Sequence, residues 1–150
     1  MKKIILIIFL FFIYNCGYTS VYKNLEKKDF EIIIVKMKGD RVMNNLIQNE
    51  INMYSNKDSV NKFNIIINTV YEKNILTKDN SGGITDYTLN VSSVFTINNK
   101  EKSKNVTLSD TINIKNRTDS FEQDLYEKNI KRNFASSIRE KLISEILTIK

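Results

Sequence analysis

One cysteine and a short cluster of lysines are the residues of this chain whose types and spacing could support chemistry. Cys16 directly follows an apolar run and is the only cysteine, so an intramolecular disulfide and a thiolate metal cluster are excluded. Lys100, Lys102 and Lys104 lie within five positions, and ammonium groups so spaced could converge on a phosphate. The sequence therefore offers a site for acylation and a site for an anionic group.

The sequence carries no enzyme motif. It contains no histidine, the commonest general base, and it has no Gly-x-Ser-x-Gly and no Walker loop. The acidic residues Glu122 and Asp124 suit the first turn of a helix, where the backbone dipole favours negative charge. We expect a protein that is not an enzyme and that needs no cofactor or metal ion.

Residues 1–15 are predicted to be a signal peptide. Two lysines precede an apolar run of about ten residues, well short of the roughly 20 that a transmembrane helix needs, so an uncleaved anchor is the weaker alternative. The segment 13–17, Ile-Tyr-Asn-Cys-Gly, resembles the bacterial lipobox, with Tyr14 and Asn15 where that motif has small residues. The resemblance implies that the thiol of Cys16 is diacylglycerylated and that cleavage makes Cys16 the first residue.

The rest of the chain is predicted to be a lipidated N-terminus with a tether, residues 16–28, and a single domain, residues 29–150. With 41% hydrophobic residues and no tryptophan or proline in the chain, the domain can build a modest core. Signal cleavage removes two of the 23 basic residues and no acid, so 21 basic residues face 17 acidic ones, a net charge of +4. These charges are dispersed, so we expect no nucleic-acid partner, whereas an anionic lipid stays a candidate ligand.

Hydrophobic periodicity predicts six elements in the order β-α-β-β-β-α. The first strand, residues 30–37, has a β-branched run that is typical of a strand buried on both faces or lying centrally. Gly39 ends this strand, and Asp40 can cap a helix whose apolar stripe reaches Tyr54. Further strands are predicted at 63–76, 87–97 and 106–114, with a turn at 78–83 and a hairpin tip at 98–102.

The last part of the chain predicts one long helix. Apolar residues recur at helical spacing from Ser120, a suitable N-cap, to Leu147, which corresponds to a helix of about 42 Å. The i to i+4 row from Tyr126 to Ile146 winds through roughly 200°, which one flat surface cannot cover. Either the sheet twists beneath the helix and leaves its N-terminal half partly solvated, or a partner supplies a second surface.

These elements predict an α+β fold, a four-stranded mixed sheet with two helices packed on one face. The strand-helix-strand start makes the first two strands parallel. The outer face of the third and fourth strands consists of Thr, Ser and Asn and is almost uncharged. This face is either a solvated surface of good strand formers, or a face pressed against another polar surface, where an unpaired charge would be costly.

Several segments of the mature chain together resemble the lipopolysaccharide-assembly lipoprotein family, LptE. The resemblance is carried by Cys16-Gly17-Tyr18 with the tether, by the hairpin from Tyr87 to Asn113, and by the helix entry Asp119-Ser120-Phe121-Glu122 with Tyr126-Glu127-Lys128-Asn129. It implies a lipid-anchored protein on the periplasmic side of the outer membrane. Such a protein plugs the β-barrel translocon LptD, assists its assembly and helps to move lipopolysaccharide to the cell surface. A generic lipid-binding or transport-accessory lipoprotein of the envelope is the alternative.

The lysine cluster lies at the predicted hairpin tip and is a candidate site for an anionic lipid head group such as that of lipopolysaccharide. Lys100, Lys102 and Lys104 are offset there by Glu101 alone. The alternative is that lysines lie at a tip because it is solvated and because they discourage edge-to-edge pairing of strands.

The mature protein is expected to begin at an acylated Cys16, since no other role fits a lone cysteine after a short apolar run. Intact-mass measurement of the membrane-extracted protein should give the mass of residues 16–150 plus the acyl chains. The Cys16→Ser variant should lack the acyl mass. A wild-type mass without acyl groups, or a chain that still begins at Met1, would contradict this expectation.

Overall fold

Four strands and two helices follow one another in the computed structural model, which describes residues 30–100 and 102–149. The order β-α-β-β-β-α matches the prediction. β2 and β3 extend beyond their predicted bounds, and the turn between them is confined to residues 79–83. The elements are β1 (Glu31–Gly39), α1 (Arg41–Asn52), β2 (Lys62–Lys78), β3 (Ile84–Asn98), β4 (Ser103–Lys115) and α2 (Ser120–Ile149).

All four strands form one sheet in the order β1-β2-β3-β4. β1 and β2 are parallel, whereas β2 with β3 and β3 with β4 are antiparallel. Both helices pack on one face, where Ile67 and Phe95 of the sheet share a core with Ile47 of α1 and Ile138 of α2. The predicted α+β fold and its parallel start are confirmed, and no described helix packs on the opposite face, which we call the open face.

The prediction that β1 is central or buried on both faces is wrong, because β1 is an edge strand. Ile32 is buried towards the helices, but Ile33 is 37% exposed and Val35 is 62% exposed. A run of β-branched residues indicates burial on both faces only where both faces are covered. Here the helices cover one face, and a register shift between Ile34 and Lys36 further interrupts the strand.

Aspartate side chains cap both helices. Asp40 caps α1 as predicted, since its Oδ1 accepts a hydrogen bond from Met43 N–H at 2.8 Å. At α2 the predicted cap Ser120 is wrong, because Ser120 is already helical and Asp119 Oδ1 accepts from Glu122 N–H at 3.0 Å. Both residue types suit an N-cap, so the pattern left the boundary uncertain by one residue.

The two halves of α2 are buried to different extents. In its C-terminal half Ile138, Leu142 and Ile146 are fully or almost fully buried, whereas near its start Phe121 is 75% exposed and Leu125 is 50% exposed. The N-terminal half of α2 is therefore partly solvated in the chain by itself, and a second surface supplied by a partner stays a prediction. Neither helix of the described residues is both long and apolar enough to cross a membrane.

The Gly39→Ala substitution is expected to destabilise the fold by at least about 3 kcal/mol. Gly39 has φ +83°, and a Cβ there would lie 2.0 Å from the backbone oxygen of Thr69. Gly82→Ala is a matched control, since Gly82 has φ +85° but no atom within 4 Å of an added Cβ. It should cost only the backbone strain, about 1–2 kcal/mol. Chemical denaturation measures both, and equal losses would contradict the steric argument.

Candidate functional site

The residues singled out in the sequence lie in different parts of the structure. Cys16 lies outside the described residues. Lys100 and Lys102 are exposed at the tip between β3 and β4. Lys104 is directed towards α2, where its Nζ lies 2.7 Å from Glu145 Oε2. The structure therefore leaves two of the three lysines exposed at the tip and pairs the third with Glu145, and lipid binding by the three stays a prediction.

The hairpin tip lies at the end of the sheet where the described chain begins. Glu31 at the start of β1 pairs with Lys62 at the start of β2. Asn64, two residues further along β2, pairs with Asn98 at the end of β3. Residue 30, where the described chain begins, therefore lies at the same end of the domain as Lys100 and Lys102.

The open face is polar and uncharged over most of β3 and β4, as the alternation predicted. Thr88 pairs with Asn113 and donates to its Oδ1 at 2.8 Å, and Asn90 pairs with Thr111. Val94 is the one apolar residue in this part of the face and is 39% exposed. The residues that register and burial place there are Thr88, Asn90, Ser92, Val94, Thr96, Asn105, Thr107, Ser109, Thr111 and Asn113.

A charged cluster that sequence reasoning missed joins α2 to β2. Glu127 of α2 accepts hydrogen bonds from Tyr71 Oη and Lys73 Nζ, both at 2.8 Å, and its Oε1 lies 3.0 Å from Lys131 Nζ. Its side chain is only 14% exposed. The spacing of Glu127 and Lys131 is the signal that was available, since i to i+4 pairs of opposite charge meet on a helix. The contact with β2 spans more than fifty residues and has no local signature.

Glu127 stays ionised in this cluster. Burial alone would raise its pKa, but the hydrogen bonds from Lys73, Lys131 and Tyr71 outweigh burial and lower the pKa to about 2. For Tyr71, burial and the hydrogen bond to Glu127 raise the phenol pKa. Because both carboxylate oxygens are engaged, this arrangement suits a structural contact better than proton transfer near neutral pH.

Three cations lie over aromatic rings around this cluster. Lys131 Nζ is 4.3 Å from the centre of the Tyr71 ring, and Lys73 Nζ is 4.5 Å from that of Tyr87. The Arg117 guanidinium lies 4.5 Å from the Tyr126 ring. Of the three contacts, the one between Lys131 and Tyr71 joins the partly solvated half of α2 to the sheet, and its attraction is that of a cation for the face of a ring.

A cleft of about 300 Å³ opens between the two helices beside this cluster. Its surface is mostly apolar, with two aliphatic side chains from α1 and four charged side chains from α2. The described residues include no group of three or more His, Cys, Asp or Glu that could hold a metal ion. The lining residues are Val42, Leu46, Asp124, Glu127, Lys128 and Lys131.

Comparisons with known proteins relate this chain to lipoproteins by fold. No protein-family model and no curated protein matches it. The structure resembles rare lipoprotein B from Shewanella oneidensis, with TM-score 0.53, 12% identity, and coverage of 76% of this chain and 98% of that one. It also resembles a minor lipoprotein from Acinetobacter baumannii (TM-score 0.50, 10% identity, 77% and 93% coverage). A third similar structure is lipoprotein B from Nitrosomonas europaea (TM-score 0.50, 10% identity, 79% and 84% coverage). At these identities the likeness concerns the fold.

The Glu127→Gln substitution is expected to lower the free energy of unfolding at pH 7 by about 2 kcal/mol, since it removes the charge from bonds to Lys73 and Lys131. The folded pKa of about 2 lies below the ordinary 4.5. The ionised carboxylate therefore stabilises fully above about pH 4.5, and its contribution is lost as the pH falls towards 2. Denaturant titrations from pH 7 to pH 2 should show the gap between wild type and variant closing.

Glu122→Gln serves as the control for this comparison. Glu122 is largely exposed and its ion pair with Arg117 is long, 3.4 Å, so its loss should cost no more than about 0.5 kcal/mol. A Glu127→Gln protein as stable as wild type at pH 7, or a gap that persists down to pH 2, would contradict the role of Glu127.

Proposed function

We propose that this chain is an envelope lipoprotein of the LptE type. It is anchored through Cys16 to the periplasmic side of the outer membrane, sits as a plug in an LptD-like β-barrel and assists its assembly. In this position it takes part in moving lipopolysaccharide to the cell surface. The fold shared with proteins described as lipoproteins supports the class, and the cysteine after a short apolar run supports the anchor.

The uncharged polar part of the open face, on β3 and β4, is the observation that carries the proposal of a protein partner. Free sheet faces usually mix charged residues with hydroxyl and amide groups. Between Thr88 and Thr96, and on the β4 residues that pair with this part of β3, the open face carries almost no charged residues. Burying a charge without a partner costs roughly several kcal/mol. Burying a hydroxyl or amide costs less, because such a group can donate or accept a hydrogen bond in the interface. The face is therefore suited to contact another polar surface such as the inner wall of a barrel.

The alternative, a generic lipid-binding lipoprotein, has less support. A lipid-binding pocket is lined mostly by apolar side chains. The cleft between the helices has a mostly apolar surface, but at about 300 Å³ it lies at the lower end of the range for ligand pockets, and four of its six lining residues carry a charge that a bound acyl chain would partly desolvate. Within the proposal, lipopolysaccharide binds at the hairpin tip. Lys100 and Lys102 are exposed there, and their ammonium groups can bind its phosphates.

Three glutamates on the open face test the proposal. The triple variant Thr88→Glu, Asn90→Glu and Thr111→Glu should stay folded, because surface changes usually cost within about 0.5 kcal/mol each. It should co-purify with the outer-membrane barrel at least about tenfold less than wild type, since the added charges would be desolvated in the complex. Quantitative mass spectrometry of affinity-purified full-length protein measures the ratio.

A second triple variant controls for added charge alone. Asn45, Asn129 and Asn133 are exposed on the helices, so their replacement by glutamate puts the same charge on the other side of the domain. This control should retain the barrel. Undiminished barrel recovery with the open-face variant would mean that the face is merely solvated, and absence of a barrel with wild type would refute the proposed partner.

A further inference from the structure

Aliphatic side chains collect on the part of the open face that β1 and β2 form. Ile66 lies at the centre, because its two neighbours along β2 are buried against the helices and its own side chain therefore points to the other face. Ile33 of β1 pairs with the residue two positions before Ile66, and Val94 of β3 pairs with the residue two positions after it. Such diagonal neighbours lie about 7–8 Å apart, so the three side chains form one surface.

Two valines extend this surface. Val35 is the extra residue at the register shift of β1, and Val70 follows on the same face of β2, two positions beyond the residue that pairs with Val94. Both valines are exposed. Single exposed aliphatic residues are common on proteins, whereas a contiguous group marks a surface of interaction. We call the five side chains Ile33, Val35, Ile66, Val70 and Val94 the aliphatic patch.

Lysines border the aliphatic patch. Lys36 and Lys38 are exposed, and their pairing with β2 places both on the open face. Neither forms an ion pair with another described residue. Glu31 at the start of β1 is already paired, since its Oε2 lies 2.7 Å from Lys62 Nζ. Glu72 of β2 lies beyond the last residue that pairs with β1. The border of the aliphatic patch therefore carries positive charge that is not neutralised.

The aliphatic patch is close in the chain to the proposed anchor. β1 begins at Glu31, and residues 17–30 separate it from Cys16. An extended chain spans at most about 3.5 Å per residue, so this segment keeps the start of β1 within roughly 50 Å of an acylated Cys16. A short connection of this kind raises the effective concentration of a domain at its binding surface to about the millimolar range. A patch of modest affinity is then enough to hold the domain against the membrane.

We propose that the aliphatic patch docks the domain on the anionic surface of the membrane that holds the acyl anchor. The aliphatic side chains lie against the lipid, and Lys36 and Lys38 reach the anionic head groups with ammonium groups on long apolar stems. The inference rests on the proposed function in one respect, the lipid anchor, and it concerns the anchored protein without its barrel. It adds the lipid surface as a ligand of the folded domain and assigns the face that binds it.

The two lysines favour a lipid surface over a second copy of this chain. A two-fold dimer through the aliphatic patch would bring the same patch of both copies together. Lys36 and Lys38 of the two copies would then enter one interface, in which Glu31 is already engaged by Lys62. Buried charges without partners are costly. An anionic lipid surface supplies the negative charge that a second copy lacks.

Vesicle binding of the full mature chain tests the inference. The chain carries Cys16→Ser, so that acyl chains contribute nothing, and the vesicles contain phosphatidylcholine and phosphatidylglycerol in equal parts. Binding should fall at least about tenfold when phosphatidylcholine is the only lipid, and by as much when Lys36→Gln is combined with Lys38→Gln. Co-sedimentation at low ionic strength measures binding, because salt screens exposed charges beyond about 8 Å at physiological ionic strength.

Lys128→Gln with Arg132→Gln is the matched control. Both residues are exposed on α2, so this pair removes the same charge from the opposite side of the domain. Its vesicle binding should change less than about threefold, which is the effect of net charge alone. All four substituted positions are exposed, so both variants should keep the unfolding midpoint of the unsubstituted chain.

A tryptophan reporter locates the contact in the acylated protein. The chain has no tryptophan, so each substituted protein contains a single indole. Val35→Trp puts the indole in the aliphatic patch, and Val42→Trp puts it at a similarly exposed position on α1. On vesicles of the same mixed composition, emission from the Val35→Trp protein should shift to shorter wavelength and be quenched by brominated lipid. The Val42→Trp protein should show neither effect.

Three results would overturn the inference. The first is equal binding of mixed vesicles by the Cys16→Ser chain with and without the two substitutions at Lys36 and Lys38. The second is an equal fluorescence change at the two tryptophan positions. The third is a shift in the Val35→Trp protein that follows protein concentration without lipid, since the aliphatic patch would then serve a second copy.

The proposed function fails on different results. An intact mass without acyl groups refutes the anchor, and the absence of a co-purifying barrel refutes the barrel partner. Neither result alters the vesicle binding of the unacylated chain, which decides the role of the aliphatic patch.

Discussion

The turn from β1 into α1 is the constraint on which the rest of the arrangement depends. Gly39 lies against the Thr69 backbone with φ +83°, and Asp40 N–H donates to Thr69 O at 2.7 Å. The chain thus leaves β1 on the helix side while β1 stays parallel to β2. A right-handed crossover then places α1 on one face of the sheet, and α2 packs beside it. The other face of the sheet is open because both helices pack on the same side.

The helix α2 is held in two physically different ways. Its C-terminal half buries Ile138, Leu142 and Ile146, and the stabilisation of such burial depends little on pH or salt. Its N-terminal half depends on the cluster around Glu127, in which desolvation offsets much of the attraction between the charges. Local opening of α2 should therefore begin at its N-terminal half, beside the exposed Phe121.

Local periodicity accounts for what could be predicted from the sequence. The alternation of apolar and polar residues in β3 predicts that Leu89, Val91 and Phe95 lie in the core, and all three are buried. The position of β1 at the edge could not be predicted, since the same apolar run fits a central strand and an edge strand whose second face is open. Glu127 was missed because its partners on β2 are distant in the sequence, and periodicity reports no tertiary neighbour.

The composition of the open face over β3 and β4 matters for association because β4 is an edge strand. An apolar open face next to a free edge would invite aggregation, because exposed apolar strands with unpaired backbone groups are templates for further strands. A charged face would keep the protein monomeric but would oppose any partner that covers it. Threonine, serine and asparagine stay hydrated in the free protein and can pair with a polar partner when covered. The uncharged polar composition of β3 and β4 on this face therefore suits the proposed partner contact, because such a surface stays hydrated alone and can lose its water in a complex.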